Sequence, residues 1–472
     1  MAIAAIALLA GCTSDSRKAA EDAARAQALY DQGAIGAART YISRALAIRD
    51  DISDYWLIKA HIALADNDLG GAQDAYVNAL QLDKANVEAL TNLCQIALAT
   101  NTATRAEKYA DQLAALDPGS VLPNTVRASA AAARGDKEKA RQYLDQVLSA
   151  RPDDSLALIV KARMLADAQD YAGAAKAVEQ TIAAPGDPTS RLSMLSAYYQ
   201  RARDGDGLFR TIVRLAQANP NDVDIQFRYA DLLFDRGKND AANAVIARTM
   251  QNRTGDVGAA ANALNLWLKQ GPDILPADRL VADAAKAPLV LKAAYAQYAN
   301  ETGHPELAIT ILSGTNLTGA AIQRPEAANA AAVLGYARGL TGDSAGADAL
   351  IGSVLKRDPA QPVALLARGR LRAAAGDLRG GIEDVRNALA QDGGNVAARL
   401  TLADLLNRSG EPVLAETALH DGMDAAGDDP RLPTRLARLM KASGRQDAAA
   451  ATLADFIKAN PLSQRAARIK AG

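Results

Sequence analysis

Residues 128–152 read ASAAAARGDKEKARQYLDQVLSARP. An alanine-rich run stops at Gly135. After it, Leu144, Val147 and Leu148 fall on one stripe at helical spacing. Glycine enters the left-handed region without steric penalty, so Gly135 reads as a tight turn between two antiparallel helices. Ala140, five residues on, is small enough to let the two helices approach closely. Pro152 blocks continuation of the second helix and resets the next one.

The same punctuation recurs on both sides of this stretch. Turn signals stand at Gly33, Asn67, Asn101, Gly135, Gln169, Arg203, Gly237 and Gly271, each 34 residues after the last. A second series in phase with itself runs through Gly342, Gly376, Gly410 and Gly444. Five residues beyond most of these turns lies Ala38, Ala72, Ala106, Ala140, Ala174, Ala242, Ala308, Ala347, Gly381, Ala415 or Ala449, and a proline marks repeat ends at Pro118, Pro152, Pro220, Pro359 and Pro461. One such unit cannot bury both of its faces, so stacking of successive units must supply the missing surface.

Composition agrees with an array. Alanine-dominated apolar residues make up 49% of 472 residues and aromatics only 4%, nearly uniformly along the chain, and segments with the period-two alternation of strands are few. The class is all-α. A net charge of −1 sets up no global field for nucleic acid or an anionic membrane. Two cysteines and three widely separated histidines support neither a disulfide scaffold nor a metal site. Cys94 reads as a small buried apolar residue.

With period, turn and small residues in place, the chain resembles the tetratricopeptide repeat family, in thirteen units from about residue 19 to the end. The resemblance implies a right-handed superhelical solenoid of antiparallel helix pairs that binds other proteins. It also implies that positions two, five, nine and twelve of each unit face a concave groove. In the unit before Gly237 these are Asp224, Phe227, Asp231 and Phe234, where a place in the core competes with the groove for at least one phenylalanine. Neighbouring units add Leu156, Ile159, Arg163, Tyr199 and Gln200, and the groove would take an extended peptide or a helix. Two departures stand out. Prolines 272, 276 and 288 fall where helix is expected, which predicts a distorted unit. The 39 residues from Gly303 to Gly342, with the breaker-rich run Ser313–Gly319, read either as a joint or as a longer loop. As a joint, 291–326 would separate an N-terminal array, 19–290, from a C-terminal array, 327–472.

At the N-terminus, Leu9-Ala10-Gly11-Cys12 follows an apolar run and precedes a polar one. This resembles the lipobox of bacterial lipoproteins, although the usual basic n-region is missing. The resemblance implies a truncated signal segment over 1–11, an acylated Cys12 that anchors the chain in a lipid bilayer, and a tether over 12–18. With Thr13 after the cysteine it further implies an outer-membrane address facing the periplasm. An incidental cysteine on a cytoplasmic protein is the alternative.

No phosphate loop, nucleophile setting, HExxH or CxxC occurs, which points away from an enzyme, a cofactor or a metal centre. Arg431, Arg435, Arg438 and Lys441 stripe one face of the last unit. They suit an acidic polymer, a lipid head group or an acidic protein, or form the solvated face of a terminal cap. Asp428 and Asp429 read as acids that favour the N-terminus of the following helix. The expected role is a non-catalytic scaffold at an envelope export or assembly machine, with exopolysaccharide or protein secretion favoured. A soluble cytoplasmic adaptor and a docking regulator of a peptidoglycan hydrolase are the alternatives.

Overall fold

The computed structural model describes residues 15–186, 188–271 and 274–469, together with the helical course of residues 2–14 without their side chains. The signal segment 1–11 and Cys12 therefore lie outside the described side chains. Among the described residues the chain is helical with no strand. Thirteen helix pairs run from Ala2–Asp31 with Ile35–Ile48 to Arg431–Ala442 with Gln446–Ala459, and a short helix, Gln464–Ala467, follows. This is an all-α tetratricopeptide-type solenoid.

Every turn expected at the 34-residue period and its offsets is there. All thirteen positions, from Gly33 to Gly444, have φ between +57° and +112°. At Gly135, its own amide and that of Asp136 donate back to Ala132 and Ala131, each at 2.9 Å, and so close the last carbonyls of the first helix. Asp136 then accepts from the Lys139 amide at 3.1 Å and caps the second helix. Asp68, Asp170, Asp204, Asp343 and Asp377 do the same in their units. At Gln169 and Arg203 a residue with a Cβ holds the left-handed turn, at a cost of about 1 kcal/mol each.

The small residues sit at the helix crossings. Ala38, Ala72, Ala140, Ala174, Ala242, Ala308, Ala415 and Ala449 are wholly buried. At the tightest crossing, a Cβ on Gly381 would stand 2.8 Å from the Gly369 carbonyl oxygen. Backbone meets backbone there, and no larger residue fits.

The chain divides into two compact units, 1–198 and 199–472, within the helix Thr189–Ala202. The first unit holds two hydrophobic clusters, one around Ala19–Ile62 and one from Ala60 to Val160. Cys94 belongs to the second of these, and burial pushes its thiol up to about 12, which leaves it protonated and inert. The second unit has one cluster, continuous from Phe227 to Leu453.

Residues 291–326 contribute to that cluster. Leu291, Tyr295, Tyr298, Ile311, Leu312, Leu317 and Ile322 are all buried in the second unit's cluster, and the helix Leu289–Glu301 packs on Pro325–Leu340. The breaker-rich run is a longer connection pinned by Leu317 and by the 3-10 turn Gly319–Gln323. The apolar side chains of 291–326 complete a core shared with the helices on both sides. Pro272 lies outside the described residues, and the other two prolines act in a similar way. Pro276 and Pro288 stand at the caps of Ala277–Ala285 and Leu289–Glu301, so the unit is shortened without a kink. Trp267 fills it, stacked on Tyr295 at 4.7 Å, with its indole N–H donating to Asn243 at 3.0 Å.

Candidate functional site

In the helix Val257–Leu268, one repeat after the unit of Phe227 and Phe234, the same four groove positions are Gly258, Ala261, Asn265 and Leu268. Spacings of three, four and three residues put them on one helix face. They line a cavity of about 640 Å³. Val290, Ala293 and Gln297 of the next first helix, Glu326, Asn329 and Val333 of the one after, and Val363 and Ala397 beyond continue its wall. The floor is apolar and mostly small, which leaves width for a bound chain. Amide side chains line it at Asn265, Gln297, Gln323, Asn329, Gln361 and Asn395.

These amides differ in what they are free to do. Gln361 and Asn395 accept from the Ala364 and Ala398 amides and so cap their own helices, and Gln361 also donates to Asn329. Asn265 and Gln297 have no side-chain hydrogen bond among the described residues, and both are half-buried. Each offers a donor and an acceptor to whatever lies in the groove.

Further along the same helix faces, at i+3, i+4 and i+7 from the lining residues, a polar brace ties four successive first helices. Arg370 donates to both carboxylate oxygens of Glu301, at 2.5 and 3.3 Å, and to Thr401 at 2.9 Å, and it lies over the Tyr336 ring. Burial disfavours the Arg370 charge, yet Glu301 and Tyr336 outweigh it and the guanidinium is held more firmly protonated than usual.

The groove residues expected from the sequence are placed otherwise. Phe227 and Phe234 are 6% and 2% exposed and belong to the core. Asp231 pairs with Lys269 at 2.7 Å and with Arg465 at 3.2 Å. The reason is that the end of the same chain lies on this helix. Asp235 accepts from the backbone amides of Gln464 and Arg465 at 2.8 and 2.7 Å and so caps Gln464–Ala467 from 230 residues away. Asp428 completes the clasp by pairing with Lys269 and Arg465. Burial alone would push the Asp428 carboxyl up. Lys269 and Arg465 overcome that and hold it below the ordinary carboxylate value. Asp428 is therefore part of a half-buried ion cluster and not a simple helix-start acid, whereas Asp429 does accept from the Arg431 amide at 3.0 Å.

Of the remaining expected groove residues, Tyr199 lies against Gly207 of its partner helix, so closely that a Cβ on the glycine would come within 2.5 Å of the ring. Arg163, in the first unit, donates to the Leu98 carbonyl at 2.8 Å. Neither presents a free side chain to a ligand. On the basic stripe, Arg431 pairs with Asp429 and Arg435 with Asp404, while Arg438 and Lys441 are exposed. The open groove escaped the sequence reading because its positions carry glycine, alanine and amides, which do not draw attention as phenylalanine does. Adding one 34-residue period to the four chosen positions would have found it.

Among known proteins, the tetratricopeptide repeat family models match residues 57–121 and 125–188, and residues 372–433. No curated protein matches the chain significantly. Similar solved structures include PilW, described as a widely conserved type IV pilus biogenesis factor, at 18% identity and a TM-score of 0.35 over 44% of this chain and 96% of that one. They also include PilF of Pseudomonas aeruginosa, at 15% and 0.32 over 45% and 97%, and a thermophilic tetratricopeptide protein of Thermus thermophilus, at 21% and 0.32 over 39% and 99%. At these values the likenesses say nothing about function. The matched segments, and the helix pairs that continue their turns and small-residue crossings on either side, make this a tetratricopeptide-repeat-containing protein.

Proposed function

We propose that this protein is a non-catalytic scaffold that holds an extended segment of another protein in the groove of its second unit. The observation that carries the reading is the largely apolar cavity, with Glu326, Arg357, Asp358 and Asp392 also in its lining, crossed by the amides of Asn265 and Gln297, which have no partner among the described residues. An extended peptide exposes backbone donors and acceptors that must be satisfied when it is desolvated, and carboxamides supply both. The small residues beneath leave room for its side chains.

The finer part of the proposal is place. The scaffold serves an envelope export or assembly machine, exopolysaccharide or protein secretion foremost, anchored as an outer-membrane lipoprotein through acylated Cys12. Leu9-Ala10-Gly11-Cys12 supports this. Among the described residues no helix is long and apolar enough to cross a membrane, so on this reading the lipid is the anchor.

The test is a mild-detergent pull-down from the native envelope with three forms of the protein: wild type, Cys12→Ala, and Asn265→Ala with Gln297→Ala. Recovery of secretion or export components with wild type, their loss with the amide variant, and release of Cys12→Ala from the membrane fraction are expected. Equal recovery by the amide variant would remove the groove from the reading. Membrane association unchanged in Cys12→Ala would remove the lipid anchor.

A further inference from the structure

Tertiary folding collects six cationic side chains around a second cavity of about 730 Å³ in the same unit: Lys269, Arg431, Arg435, Arg438, Arg465 and Arg468. Among the described residues no carboxylate lines it. The carboxylates that balance part of this charge stand behind the wall, where Asp231 and Asp428 hold Lys269 and Arg465, Asp429 holds Arg431 and Asp404 holds Arg435. Arg438 and Arg468 are exposed, and neither side chain has a partner among the described residues. Arg465 is 6% exposed, yet its Nε and Nη1 find no acceptor. Leaving buried donors unmet is costly, and guanidinium forks match carboxylates in shape as well as charge. Between the cations lie Leu268, Ile274, Leu400 and Ile469.

We propose that this cavity binds an acidic peptide segment of a partner protein, with its apolar side chains on the aliphatic floor and its carboxylates against Arg438, Arg468 and the outer edge of the Arg431–Arg435 stripe. Three features select that occupant. Arg431, Arg435 and Arg438 spread charge over about 10 Å of helix, more than one small anion can use. The floor is aliphatic, which suits leucine or valine side chains. A sugar ring would stack on an exposed aromatic face, and the one aromatic at the cavity among the described residues, Phe234, is 2% exposed. The site rests on the scaffold reading only in taking a protein partner. Its lining shares Leu268 with the open groove and nothing else, so the two sites fail separately.

The experiment is fluorescence anisotropy at physiological ionic strength, which screens non-specific attraction. The probe is a fluorescein-labelled peptide of alternating glutamate and leucine, its glutamine–leucine counterpart is the control, and oligoglucuronate is the competitor. The full chain is compared with Arg438→Glu/Arg468→Glu and with Asn265→Ala. Both arginines are exposed, so thermal unfolding should be unchanged in the double variant. The expected result is saturable binding of the glutamate peptide by wild type and Asn265→Ala, weakened about tenfold or more in the double arginine variant and for the glutamine peptide. Equal affinity of wild type and the arginine variant, equal affinity for the two peptides, or no binding of the glutamate peptide overturns the proposal. Binding of oligoglucuronate in preference to the peptide overturns it in favour of an acidic polymer.

Discussion

Val223–Asp235 and Val257–Leu268 are successive first helices, one repeat apart, with the same four positions turned to the same side. In the second helix those positions are Gly258, Ala261, Asn265 and Leu268, and they open onto a cavity. In the first, Phe227 and Phe234 are buried, and Asp231 is locked to Lys269 and to Arg465 of the chain's own end. Register within a repeat therefore fixes the direction a side chain takes but not whether solvent or another segment meets it there. A solenoid is locally determined, since each pair touches mainly its neighbours. A contact that closes over 230 residues, as Asp235 with Arg465 does, lies outside that local logic.

The difference can be broken from either side. The largest effect is expected in the open region, at the brace. Arg370→Ala leaves Glu301, 17% exposed, without its partner, a loss of about 3–5 kcal/mol. Hydrogen exchange should show deprotection across the helices from 289 to 408, with the first unit unaffected. Unchanged protection there would mean the groove wall does not depend on the brace.

Next comes the clasp. Asp235→Ala removes the acceptor of two backbone amides at the start of Gln464–Ala467, and each orphaned donor costs about 1–3 kcal/mol. Faster exchange at 463–469, with 257–268 unchanged, would confirm that the closed face is closed by the chain's end. Equal exchange in mutant and wild type would place its cause elsewhere.

A smaller effect follows pH. The folded value of Asp428 is held below that of an unfolded carboxylate. Its contribution is therefore full above the unfolded value and is lost as pH falls through the folded one. Protection factors at 463–469, corrected for intrinsic exchange, should fall as pH drops below the ordinary carboxylate range, and Asp428→Asn should abolish that dependence. A pH response that survives in Asp428→Asn would assign it to another group.

The smallest effect sharpens the repeat itself. Arg203 sits in a left-handed turn at φ +58° where most units have glycine. Arg203→Gly should raise stability by up to about 1 kcal/mol, read as a small rise in melting temperature. Gly376→Ala, at φ +96°, should lower it by a similar amount.

The helix pairs, their thirteen turns and their close crossings were all legible in the sequence. Each is set within a few residues: a left-handed φ at Gly135 or Gly376, a missing side chain at Ala140 or Gly381, a blocked amide at a proline. The four groove positions came from the resemblance to the tetratricopeptide repeat family and not from local periodicity. The burial of Phe227 and Phe234, the meeting of Lys269, Asp428 and Arg465, and the gathering of Arg431, Arg435, Arg438 and Arg468 at one cavity emerge only when the chain folds back on itself. Asp231 and Arg465, which pair in that cluster, lie 234 residues apart, and no local periodicity records which distant segment will cover a given face.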